Sequence, residues 1–71
     1  MLVHIVAIAY DGEVSAIVRT DIGDLIEAVV DNHGTDGENY RYTETPEGVE
    51  KVIAQIADET GYTLNYDTQE I

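Results

Sequence analysis

Between Thr45 and Gly61 the apolar residues fall at Val49, Val52, Ile53 and Ile56, the three-and-four spacing of one helix face. The segment carries its own boundaries. Thr45 is placed as an N-cap acceptor, and Pro46 takes the first helical position, where its missing N–H costs nothing. Gly61 offers the left-handed residue that ends a helix, with Tyr62 behind it to fold back onto Ala57. The same spacing predicts an earlier helix over Asp21–His33, with Ile22, Leu25, Ile26, Val29 and Val30 as its buried stripe. Asp21 caps it, Asp24 resembles the acidic member of a capping box, and Gly34 stops it.

Elsewhere the pattern is that of strands. Leu2–Tyr10 is apolar almost throughout and runs into Asp11-Gly12, the signature of an interior strand entering a two-residue hairpin turn. Glu13–Thr20 is the returning strand, and the turn sets the register: Tyr10 opposite Glu13, Ile8 opposite Ser15, Val6 opposite Ile17, His4 opposite Arg19. Val3, Ile5, Ala7, Ala9, Val14, Ala16 and Val18 then share one face, the expected floor for the helices. Leu2, Val6, Ile8 and Ile17 share the other. Left open, that second face is apolar enough for a partner or a homodimer, with Val6, Ile8 and Ile17 as its self-association residues. Asn39–Glu44 and Tyr62–Tyr66 alternate tyrosine or leucine with polar residues, as half-buried strands do. Asp67–Ile71 reads as a loose tail. The predicted order is ββαβαβ in a single domain of the α/β (α+β) type. This is a two-layer sandwich with a mixed four-stranded sheet and two helices on one face.

Charge changes the picture more than composition does. Fifteen acids against three bases give a formal charge of −12 on 71 residues. Self-repulsion on that scale works against the compact state and against a phosphate backbone as partner, since nucleic acid is bound through Lys and Arg. A basic protein surface is the natural partner. The 44% hydrophobic content sets the chain apart from a disordered acidic tail. No cysteine is present, which rules out disulfides and thiolate metal sites and fits a cytoplasmic setting. The Leu2–Ala9 run is too short to span a bilayer, so no membrane role is expected.

Chemistry-bearing motifs are few. Asp31–Glu38 has the composition of a calcium loop, but numbering from Asn32 puts a glycine at the third ligand position, and an Asx-type turn accounts for it better. His4 and His33 have no His or Cys partner at ligand spacing, and Ser15, the only serine, lies inside a strand. The expectation is a non-enzymatic protein without cofactor or metal. The acids, by contrast, are organised. Asp24, Glu27 and Asp31 fall on one exposed helix side with no Lys or Arg in reach, and Asp36 and Glu38 follow in the next loop. Glu47, Glu50, Asp58 and Glu59 form a second group around a single Lys51.

Small size, a compact α/β core, heavy acid and the absence of an enzyme motif together resemble the class of DNA-mimic inhibitors. Viruses use such proteins against host nucleases; many anti-CRISPR and anti-restriction proteins belong here. The resemblance is one of overall character. It implies that carboxylates at the positions just named occupy the Lys/Arg-lined nucleic-acid channel of a nuclease or CRISPR or restriction complex, in the host cytoplasm if the source is viral. The alternative is a salt-adapted, halophilic-type accessory or dimerising domain, whose acids serve solubility throughout.

Overall fold

The structure, a computed structural model, describes residues 1–33 and 40–71. Its sheet starts at the Asp11-Gly12 turn, where both residues have positive φ (50° and 84°), as a type I′ hairpin requires. Strand β1 (Leu2–Tyr10) therefore pairs antiparallel with β2 (Glu13–Arg19) in the register expected from that turn, Tyr10 opposite Glu13 through to His4 opposite Arg19. Helices α1 (Ile22–His33) and α2 (Pro46–Thr60) follow, and the chain returns in β3 (Thr63–Glu70). β3 pairs antiparallel with the other edge of β1, from Ala9 opposite Thr63 to Leu2 opposite Glu70. The strand order is β2-β1-β3, three strands in all among the described residues.

Two expectations are corrected here. The sheet is antiparallel rather than mixed: β2 and β3 run the same way, but β1 lies between them and takes each as an antiparallel partner. The fourth strand is not formed either. Asn39 lies outside the described residues, and Tyr40–Thr43 belongs to no strand, although its side chains do alternate between buried and exposed. Tyr40 is buried, and its hydroxyl donates to Glu59 Oε2 at 2.6 Å. Packing against a helix satisfies the two-residue period as well as a ladder would. Conversely, Asp67–Glu70 is no tail but the second half of β3, because backbone pairing with β1 does not depend on apolar side chains.

Three of the four helix ends follow their local signals, and Gly34, expected to stop α1, lies outside the described residues. Asp21 Oδ2 accepts from the Asp24 N–H at 3.0 Å, and Thr45 Oγ1 accepts from the Gly48 N–H at 3.1 Å. Gly61 closes α2 at φ 78°, its N–H donating to the Ala57 carbonyl at 2.9 Å. The stripes are buried as spaced: Leu25, Ile26, Val29 and Val30 on α1; Val49, Val52, Ile53 and Ile56 on α2. Both meet the sheet on the face of Val6 and Ile8, with Ile17, Leu64 and Tyr66 packed at its margins.

That face is the reverse of the one expected. Val6 and Ile8, read as a self-association surface, are 0% and 4% exposed, and Ile17 is half-buried beside them. The face expected to carry the helices is open at Ala7, Ala9, Val14, Ala16 and Val18, although Val3 at its far end is buried and Ile5 half-buried. Bulk decides it. The covered face carries the larger side chains, and cross-strand Tyr66 and Leu64 extend it opposite Val6 and Ile8. The other face is rich in alanine and continues into Thr63, Asn65, Asp67 and Gln69 on β3, which belong in water.

Gly48 marks a close approach that sequence spacing does not reveal. A Cβ there would overlap the Thr43 carbonyl and hydroxyl, which lean over the first turn of α2. Gly48→Ala should gain about 1 kcal/mol of helix propensity and lose more. The overlap costs about 1–3 kcal/mol and disturbs a cap worth roughly 1 kcal/mol more. A net loss on the order of 1–3 kcal/mol is expected in urea unfolding. Ile56→Ala should cost about 2–5 kcal/mol, whereas exposed Glu50→Ala should be close to neutral. A stabilised Gly48→Ala protein would show that the Thr43 contact is dispensable.

Candidate functional site: an acidic helical face

Because α1 buries Leu25, Ile26, Val29 and Val30, its outward side is fixed, and Asp24, Glu27 and Asp31 stand exposed on it. At 3.6 residues per turn the three fall within a sector of about 60°, spread over about 10 Å of helix axis. Among the described residues none of the three is in an ion pair; the one such pair joins the Met1 ammonium to Glu70 at 3.0 Å. Like charges at these spacings cost the helix roughly 0.2–0.5 kcal/mol per pair. Asp24 recovers part of that at the positive end of the helix dipole, and Asp31, near the other end, does not.

The second group is less uniform. Glu47, Glu50, Asp58 and Glu59 are all exposed. On the wheel Glu47 and Asp58 nearly eclipse, while Glu50 and Glu59 lie about 180° apart, on opposite margins of the exposed half. Lys51 stands between them, close in angle to Glu47 and Asp58. Glu59 also has structural work: it accepts from Tyr40, so it ties the chain entering α2 to the last turn of that helix. The group is thus a set of separate carboxylates around a cation. Asp36 and Glu38, like the rest of the Asp31–Glu38 loop beyond its first residues, lie outside the described residues. Among the described residues no cluster of three or more His, Asp or Glu side chains is placed to hold a metal ion.

His4 is buried at 6% exposure, and its Nδ1 lies 2.7 Å from the Tyr66 hydroxyl, with the two rings parallel. This pairing answers the polar-burial problem that a histidine inside an apolar strand would otherwise pose. The sequence alone does not signal it, because the β1–β3 register that sets Tyr66 opposite Val6, diagonal to His4, emerges only in the structure.

Two of the three basic residues, Arg41 and Lys51, line a cleft of about 420 Å³ with Tyr42, Thr43 and Gly48. Tyr42 reports on the potential there. Its pKa is raised from 10.0, first by burial and then by Glu44, Asp21 and Glu27. Three carboxylates thus act on a hydroxyl that shares the cleft with Arg41 and Lys51. Tyr66 is likewise raised, by burial first and then by Glu50 and Asp67.

A phenol whose pKa is higher folded than unfolded binds its proton more tightly in the native state. Its contribution to stability is whole below about pH 10 and is lost as pH rises through the raised value. Stability should therefore fall on the alkaline side, and phenolate absorbance should show Tyr42 and Tyr66 ionising above the ordinary phenol value of about 10. Tyr42→Phe should flatten part of that fall in urea unfolding from pH 8 to pH 11. An unchanged slope would remove Tyr42 as its source.

Comparison with known proteins finds no matching family model, no matching curated protein and no matching solved structure. What the chain does must be argued from its own surface.

Proposed function

We propose that this protein is a non-enzymatic acidic binding protein that docks its α1 face on a basic protein surface. The partner on this reading is a nucleic-acid-binding enzyme or complex, whose Lys/Arg-lined channel the carboxylates occupy in place of phosphates. The observation that carries it is the row Asp24, Glu27 and Asp31: three exposed acids on one sector of a helix, none of them in an ion pair among the described residues. Their spacing of about 4.5–6 Å along the axis is sparser than the one charge per about 3.4 Å of a DNA strand. The fit is thus to individual Lys or Arg side chains rather than to a continuous groove. On this reading the protein works in the cytoplasm, a setting that a chain without cysteine fits. No helix among the described residues is long and apolar enough to cross a membrane.

A second reading has its own observation. Acids also stand at Asp11, Glu13, Asp21, Glu44, Asp67 and Glu70, on every side of the molecule. Such a spread is what solubility in concentrated salt calls for, and it makes the protein a salt-adapted domain. The two readings diverge in dilute buffer. An inhibitor that works at ordinary ionic strength must be folded there, whereas a salt-adapted domain needs added salt to screen its repulsion. Circular dichroism across a salt series separates them.

For the docking itself, a panel of nucleic-acid enzymes should contain one that binds this protein in competition with DNA, more weakly as salt rises. Changing Asp24, Glu27 and Asp31 to Asn, Gln and Asn should reduce that binding sharply. It should leave the fold intact or slightly more stable, since repulsion along α1 is relieved. The control changes Glu47, Glu50 and Asp58 to Gln, Gln and Asn, sparing Glu59 for its bond to Tyr40. Equal loss from both triples would mean diffuse attraction. No binding to any member in moderate salt would leave the salt-adapted reading in its place.

A further inference from the structure

β2 is an edge strand, and no strand among the described residues pairs with its outer edge. Edge strands are normally blunted by proline, lysine, a bulge or a covering element. Residues Val14–Val18 carry none of the first two, no charge at all, and an unbroken register with β1. The helical layer covers this strand only at Ile17. Glu13, Ser15 and Arg19 point to the helix side yet are exposed, and a groove of about 250 Å³ opens between Asn32 of α1 and Glu13 and Ser15 of β2. On the open face Val14 is 78% and Val18 47% exposed.

The strand is also complementary to itself. A two-residue hairpin closes on a hydrogen-bonded pair, here Tyr10 with Glu13, so Glu13, Ser15, Ile17 and Arg19 spend their backbone groups on β1. Val14, Ala16 and Val18 aim theirs outward, the Val18 carbonyl accepting from Arg19 Nη1 at 2.7 Å, an exposed bond that a second strand and its Glu13 would exchange. A second β2 laid antiparallel about a two-fold axis through Ala16 pairs all seven residues of the strand. In that register the outward groups meet at Ala16 with Ala16, and at Val14 with Val18. Glu13 falls opposite Arg19 at a non-hydrogen-bonded position, where side chains approach most closely. The exposed valines meet each other on the open face at the same time. β3, the other edge, has no such match, since it carries Asp67 and Glu70 and no cation.

From this we infer that the protein forms a two-fold dimer through β2, the occupant of the edge being a second copy of this chain. The result is a continuous six-stranded antiparallel sheet held by two Glu13–Arg19 pairs and two Val14–Val18 contacts. Both helical layers lie on one side of it. This interface is distinct from the Val6, Ile8 and Ile17 face, which the helices cover, and it does not depend on the docking role of α1.

Sedimentation velocity over a concentration series tests it, at the lowest salt in which circular dichroism shows the protein folded. The wild-type chain should pass from one copy to two as concentration rises. Glu13→Arg and Arg19→Glu should each raise the dissociation constant about tenfold or more, since each turns both attractive pairs repulsive. The combined Glu13→Arg and Arg19→Glu protein should return to the wild-type value. Net charge cannot mimic this, because the single changes move it in opposite directions. Ala16→Pro removes only an outward N–H, so it should give a folded monomer. A wild-type chain that stays monomeric throughout overturns the dimer. So does a Glu13→Arg protein that associates more tightly, a combined variant that fails to recover, or an Ala16→Pro protein that still dimerises.

Discussion

Val6 and Ile8 sit at the centre of the sheet with Leu25, Val29, Val49 and Ile56 closed over them, all at or near zero exposure. The remainder of the structure is arranged around keeping that seam dry. Each such side chain contributes about 1.5–3 kcal/mol when fully buried, and a chain this short has few of them to set against its ordering entropy. The repulsion among fifteen acids is an added burden. It is limited by geometry, since every acid among the described residues is exposed and none enters the core. The small buried seam and the charged shell are two sides of one arrangement: the helices place their apolar stripe inward and thereby present their carboxylates to water.

The same logic gives the molecule three distinct surfaces. The helical layer is acidic, coherently on α1 and with Lys51 interposed on α2. The open sheet face is small and apolar along β1 and β2 and polar along β3. The β2 edge is neutral, bounded by one acid and one base. In a molecule of this net charge, contact between copies costs least where acids are fewest. Contact with a basic partner gains most where they are aligned. The two associations proposed, with a second copy and with a basic partner, would therefore use different elements.

Several polar residues that spacing would count as free surface turn out to hold the fold. Glu59 anchors Tyr40, Tyr66 satisfies His4, and Thr45 both caps α2 and meets the Thr43 hydroxyl at 3.0 Å. These bonds fix the segment that enters α2 and the strand that leaves it. They explain why Gly48 must be small and why Glu59 is a poor choice for probing a charge-driven interface.

What the sequence by itself determined was everything governed by neighbours in the chain. The start of α1, both ends of α2 and the hairpin register follow from Asp21, Thr45, Pro46, Gly61 and Asp11-Gly12, whose backbone preferences act over a few residues, and the buried stripes follow from apolar spacing. The exposure of Asp24, Glu27 and Asp31 follows from the same periodicity. Tertiary structure alone decided which side of the hairpin is covered, because β1 is apolar on both faces and alternation could not choose between them. It also decided that Tyr40 and Tyr42 pack without a ladder and that polar Asp67–Glu70 joins one, since backbone hydrogen bonds are indifferent to side-chain polarity. The free edge of β2 belongs to that second category. A strand's edge is defined only by which partners the rest of the chain has left it.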